Sequence, residues 1–141
     1  KVLHFGTHNA GRLALHICKT MLTTMLSDNQ AGFIKIKDLG IKLTEEIQSI
    51  SKKNNKNKMI CQGVNSMFQI FFTDQEKICN YRDFCRSVDR IKFRNFALKL
   101  FDKGIYMNPS ATLHSLSSII HTEKDIEVTA RAIAETLDEM P

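Results

Sequence analysis

No stretch of this sequence approaches the roughly 18–20 apolar residues needed to cross a bilayer, so no membrane partner is expected. The cysteines are Cys18, Cys61, Cys79 and Cys85. None is spaced C-x-x-C, and no Cys/His cluster has zinc-finger spacing. Reduced thiols in a cytosolic protein are the default reading. His4 and His8 are four apart, a spacing that lets two ligands share a helix face. Gly6 between them opposes a helix and no third ligand is evident, so no metal site is expected. G-x-S-x-G and P-loop motifs are missing. The opening Lys1-Val2-Leu3-His4-Phe5-Gly6 has no initiator Met and no apolar h-region, so no signal peptide is expected and part of a longer protein is. The formal charge is +5, but much of the excess sits in Lys52-Lys53-Asn54-Asn55-Lys56-Asn57-Lys58. That run has no aromatic on which a base could stack, so a solvated loop is expected and no nucleic-acid partner.

What is present is an ordinary globular composition. The chain has 141 residues, 43% hydrophobic and 25% charged. That length fits one domain with a piece of another. Apolar residues at three-to-four spacing predict a helix over 10–26, with Asn9 as N-cap, and Leu13, Ile17 and Met21 on an exposed apolar face. Residues 27–32 break it. A second helix is predicted over 33–51, with Ile36, Leu39, Leu43, Ile47 and Ile50 on one stripe. Gly40 is expected to weaken that helix by about 1 kcal/mol relative to Ala.

Strands are predicted at 59–64 and 67–72, then an irregular connection over 73–83. A helix follows over 87–103, closed by Gly104 in the left-handed conformation. Residues 105–107 and 113–120 read as two further short strands. Thr122 caps the last helix, Glu123 and Asp125 complement its dipole, and Ile126, Ala130, Ile133 and Leu137 form its buried stripe. The order predicts an α+β fold: a small, mostly antiparallel sheet with helices packed on one face, preceded by a long helix.

Three segments carry functional signal. Gly6-Thr7 ahead of a helix offers free N–H groups and a hydroxyl, which suit a phosphate; a turn or cap is the other reading. His121 precedes a capped helix and reads as hydrogen-bonded architecture more readily than as a base. No lysine sits in a recognisable strand-end cofactor setting.

The elements Gly104-Ile105-Tyr106-Met107-Asn108-Pro109-Ser110, His121-Thr122-Glu123-Lys124-Asp125-Ile126, Gly6-Thr7-His8-Asn9 and Gln62-Gly63-Val64-Asn65-Ser66-Met67-Phe68 together resemble the C-terminal part of a class III pyridoxal-phosphate aminotransferase. The branch they most resemble is that of glutamate-1-semialdehyde 2,1-aminomutase. The resemblance implies that residues 1–30 end the cofactor-binding domain and form a connecting helix. It implies that 31–141 form the small C-terminal α+β domain of a fold type I enzyme.

It further implies a cytoplasmic homodimer in which Gly6 and Thr7 reach the cofactor phosphate of the neighbouring subunit. The substrate would be a small amino acid or amino ketone. Pyridoxal 5'-phosphate belongs to the complete enzyme, and the Schiff-base lysine lies upstream. This stretch would hold no catalytic residue, bind no cofactor alone and be inactive alone. Two departures stand out. Gly11 and Arg12 occupy the positions of an Asn-Pro pair, and Leu113 stands where aminomutases commonly carry Glu, which leaves a related transaminase open. A non-catalytic α+β interaction or regulatory domain is the alternative.

Overall fold

The computed structural model describes Gly6 and residues 11–141. The chain divides into two compact units, one ending at Lys35 and one comprising Ile36–Pro141. The first predicted helix and the second are recorded as one element, α1 (Arg12–Lys53), interrupted at Ser27–Gln30. There Asp28, Asn29 and Gln30 take positive φ of 49°, 56° and 66°. Each such non-glycine residue costs about 1–2 kcal/mol, so the break is a defined corner in the backbone. The predicted N-cap, Asn9, lies outside the described residues. In the first unit, Leu13, Ile17 and Met21 are 76%, 51% and 61% exposed, as their stripe predicted. Met25 is buried there.

The second unit holds the core. β1 (Met59–Val64) and β2 (Met67–Phe72) form an antiparallel hairpin with Met59 opposite Phe72 and Val64 opposite Met67. Asn65 makes the turn at φ 52°. β3 is only Ser115–Leu116, and pairs with Phe68 and Met67 on the other edge of β2, giving the order β1-β2-β3. Alternation puts Met59, Cys61, Phe68, Ile70 and Phe72 on one buried face. Leu39, Leu43 and Ile47 of α1 share the hydrophobic cluster formed by that face. So do Phe93, Phe96 and Leu100 of α3 (Arg90–Asp102), and Ile126, Ile133 and Leu137 of α4 (Glu123–Glu139). Phe72 and Phe96 meet edge-on, 5.3 Å between ring centroids. The α+β class is thus observed.

Gly40 has a role beyond the one helix propensity gives it. A Cβ at that position would lie 2.5 Å from Ser66 Cα and against the Asn65 carbonyl. The glycine lets α1 approach the backbone of the hairpin turn, and the same helix supplies polar cover for the β1 edge. Ser51 Oγ donates to Met59 O, and Gln48 Nε2 donates to Cys61 O at 3.5 Å.

The 73–83 connection is not wholly irregular. A short helix, α2 (Tyr81–Ser87), starts there, with Asn80 Oδ1 accepting from the N–H groups of Arg82 and Asp83. Its Phe84 meets Phe71, whose position in β2 points it to the sheet face opposite the main core. The predicted strand at 105–107 is absent. Ile105 N–H is taken by Leu100 O at 2.9 Å, and Gly104 N–H by Phe101 O at 2.9 Å, with Gly104 at φ 81°. These paired bonds are the Schellman closure of α3, and they consume a donor that a strand would need.

The Lys/Asn run departs from the expectation of a uniformly solvated loop. Asn57 is fully buried. Its Nδ2 donates to Leu137 O at 2.7 Å and to Met140 O at 3.5 Å, satisfying carbonyls at the end of α4. No described helix is long and apolar enough to cross a membrane.

Candidate functional site

Gly6 is exposed with φ 152°, a backbone conformation that suits glycine. Thr7, the other half of the predicted phosphate pair, lies outside the described residues. Of the two residues that stand in place of the Asn-Pro pair, Arg12 opens α1 and is exposed.

The segment 104–122 is well defined. After Gly104 the chain has no regular structure through Met107, which is buried. Asn108 Oδ1 then accepts from Ser110 N–H at 2.9 Å, turning the chain after Pro109. Leu113 is 48% exposed. It offers apolar surface where a carboxylate would offer charge. After β3 the chain turns again: Ser118 N–H donates to His121 Nδ1 at 2.9 Å, and His121 N–H donates to Ser118 O at 3.2 Å. This accepting Nδ1 makes His121 a turn-forming side chain, in line with its architectural reading.

Next to it, Thr122 Oγ1 accepts from Asp125 N–H at 3.3 Å and donates to Asp125 Oδ2 at 2.8 Å. Thr122 N–H donates to the same oxygen at 2.7 Å. The capping box is complete. The backbone and side-chain donors of Thr122 hold the Asp125 carboxyl below its ordinary pKa.

Two hollows border this segment. One, of about 360 Å³, lies among Leu43, Phe68, Ile105–Met107, Ser115–Ser117 and the first turns of α4. The other, of about 520 Å³, lies between α2 and the 111–114 loop, over Phe71 and Gln69. Gln69 lines it and Gln62 holds its wall residue Ile78, positioning roles that were missed in the sequence. Gln62 and Gln69 face each other across β1 and β2. Gln62 Oε1 accepts from Ile78 N–H at 2.7 Å while its Nε2 donates to Ile78 O at 3.3 Å. Gln69 Nε2 donates to Ala111 O at 3.0 Å. The signal that could have found them is a polar pair in register on the less buried face of a hairpin.

The described residues do not by themselves fit pyridoxal phosphate. A Schiff-base lysine must be able to lose its proton, which a dry pocket or a neighbouring cation favours. Lys42 and Lys103 do the opposite: hydrogen bonds to Glu123 (2.9 Å) and to Glu139 (2.8 Å) raise their pKa values. Neither hollow is lined by a lysine or arginine that would meet a phosphate. Among the described residues there is no cluster of three His, Cys, Asp or Glu able to hold a metal.

Comparison with known proteins defines the class. No family model matches the chain. Glutamate-1-semialdehyde 2,1-aminomutase of Clostridium kluyveri is 33% identical over 108 residues, covering 77% of this chain and 25% of that protein. The enzyme of the same name from Akkermansia muciniphila is 27% identical over 139 residues, 99% of this chain and 32% of that protein. Among solved structures, a β-phenylalanine aminotransferase from Variovorax paradoxus superposes with a TM-score of 0.80 at 20% identity, over 99% of this chain and 31% of that one. The chain has the fold of the small α+β portion of an aminotransferase. It belongs to the class III pyridoxal-phosphate-dependent aminotransferase family and corresponds to its C-terminal part. It is similar to glutamate-1-semialdehyde 2,1-aminomutases and spans about a quarter to a third of the length of the curated relatives it matches.

Proposed function

We propose that this chain contributes the substrate-pocket wall and a cofactor-phosphate contact to a complete aminotransferase or aminomutase. In that enzyme pyridoxal 5'-phosphate supplies the electron sink for moving an amino group. Gly6 and Thr7 contact the cofactor phosphate of the neighbouring subunit in a cytoplasmic homodimer. The 108–116 segment, with Leu113 at its centre, forms one wall of the pocket for a small amino acid or amino ketone. The chain alone is inactive. The observation that carries this reading is the 33% identity over 108 residues to a named aminomutase. The exposed stripe of Leu13, Ile17 and Met21 supports a further covering partner, since contiguous apolar faces mark interaction surfaces.

The test has two arms. Pyridoxal phosphate added to the purified chain is expected to give no stoichiometric absorbance band and no borohydride-trapped adduct on one specific lysine. Such an adduct would sink the claim of inactivity alone. In a complete enzyme carrying this sequence, Thr7→Val is expected to weaken cofactor affinity, and unchanged affinity would remove Thr7 from the site.

A further inference from the structure

We propose that the hollow between α2 and the 111–114 loop binds the uncharged aromatic group of a small ligand, with Gln62 and Gln69 as its positioning residues. This deepens the reading of the chain as a pocket wall and rests on it for the ligand being a substrate, because Ala111, Thr112 and His114 flank Leu113.

The chemistry of the lining selects the ligand. Phe71, Phe84, Tyr81, Ile78 and Ala111 are among the residues that line it. Tyr81 stacks on Phe84 at 5.8 Å with an interplanar angle of 18°, and Phe71 meets Phe84 edge-on at 6.0 Å. A further ring entering here has both a face and an edge to meet, which are the two arrangements aromatic pairs favour. Tyr81 is 70% exposed although it is a large aromatic, so its outer face is open to a ligand. The volume, about 520 Å³, is within the range of small-molecule pockets. No lysine, arginine, aspartate or glutamate lines it. A carboxylate or phosphate placed there would lose water without gaining a counter-charge.

The walls have no regular structure of their own between Thr73 and Asn80 or between Met107 and His114. Their separation is set from below. Gln62 holds both the N–H and the C=O of Ile78, as a neighbouring strand would, and Gln69 holds Ala111 O. Because the two glutamines are a register pair, one position on the hairpin fixes the width of the hollow.

The test is an amide NMR titration of the full chain with 1-phenylethylamine. Butylamine serves as a control of equal charge without a ring, and glutarate as a dicarboxylate. The aryl amine is expected to shift the amides of Ile78, Tyr81, Phe84, Ala111 and Thr112, and the two controls to leave them in place. Tyr81→Ala, at a position 70% exposed, is expected to weaken binding on the order of tenfold. Tyr81→Phe is expected to retain it. Gln69→Leu and Gln62→Leu are expected to weaken binding, with the Phe68 and Ile70 amide positions of the core unmoved. Equal shifts with glutarate or butylamine, or none with the aryl amine, overturn the proposal. So does an unchanged affinity in Tyr81→Ala. Aryl binding by the chain together with no turnover of the aryl amine in a complete enzyme supports the hollow and overturns its ligand being a substrate. Turnover without aryl binding does the reverse.

Discussion

Replacing Gly40 by Ala sets two effects of opposite sign against each other. In an exposed helix interior Ala is more favourable than Gly by about 1 kcal/mol, chiefly through backbone entropy. At Gly40 the added methyl would approach Ser66 Cα to 2.5 Å and the Asn65 carbonyl carbon to 2.6 Å. Carbon atoms sit most favourably about 3.5–4.0 Å apart, so the gap must open by about 1 Å. Both obstacles are backbone atoms, and neither can rotate away. The helix and the hairpin must therefore separate, which loosens Leu39 and Leu43 on the neighbouring turns, now 7% and 6% exposed. Overpacking of this kind costs about 1–3 kcal/mol, occasionally more, and a backbone obstacle belongs at the upper end. The net expectation is a loss of about 2 kcal/mol. For a domain near 100 residues that lowers Tm by on the order of 10 °C. Urea unfolding followed by circular dichroism measures it. Asp38→Ala, on the exposed side of the same helix, reports the propensity change alone. A Gly40→Ala chain as stable as the parent, or more so, would refute the close-approach argument.

Three further outcomes are expected. Asn57→Asp places a carboxylate against the carbonyls of Leu137 and Met140, where it cannot donate when ionised. It should destabilise by about 3 kcal/mol or more at pH 7. Burial raises the folded pKa of that new acid, so the loss should shrink as pH falls toward the unfolded value of about 3.9; a pH-independent loss would contradict it. Thr122→Ala should cost about 0.5–2 kcal/mol in unfolding experiments. Because Asp125 has a depressed folded pKa, its contribution is present above the unfolded carboxylate pKa and lost as pH falls through the folded one; Asp125→Asn should flatten that acid limb, and an unaltered limb would count against the capping box. Burial pushes the Cys61 thiol up to about 12, so a maleimide at neutral pH should label the exposed Cys18, Cys79 and Cys85 and spare Cys61, as mass spectrometry would read; rapid labelling of Cys61 would mean that β1 opens.

The amphipathic elements were legible because their periodicity and caps agreed. The stripe Ile126, Ala130, Ile133 and Leu137 is buried as spaced, and Thr122 caps as its neighbours suggest. The two hairpin strands were legible from their apolar alternation. Contacts distant in sequence were not. Asn57 looked like one more polar residue in a charged loop, and only the end of α4, eighty positions away, makes it a core residue. The strand expected over 113–120 shrank to two residues because Ser118 and His121 turn the chain back. α2 had a readable signal, Asn80 followed three residues later by Asp83, but seven residues give little periodicity to support it. The phosphate pair gave less still: its meaning came from the resemblance, and Thr7 lies outside the described residues.

The bond from Asn57 to the end of α4 also bears on synthesis. Three links span nearly the same sequence distance: Lys42 to Glu123 across 81 positions, Asn57 to Leu137 across 80 and Asn54 to Asp138 across 84. All wait for the last helix. At about 5–20 residues per second, a ribosome needs several seconds to deliver that helix after Asn57 has emerged. Throughout that interval the rest of the core lacks Ile126, Ile133 and Leu137, the α4 residues that share its hydrophobic cluster. The nascent segment is then a substrate for chaperones that hold apolar chain. A stop codon placed just before Thr122 should therefore yield a product that aggregates, since α4 supplies Ile126, Ile133 and Leu137 to the core.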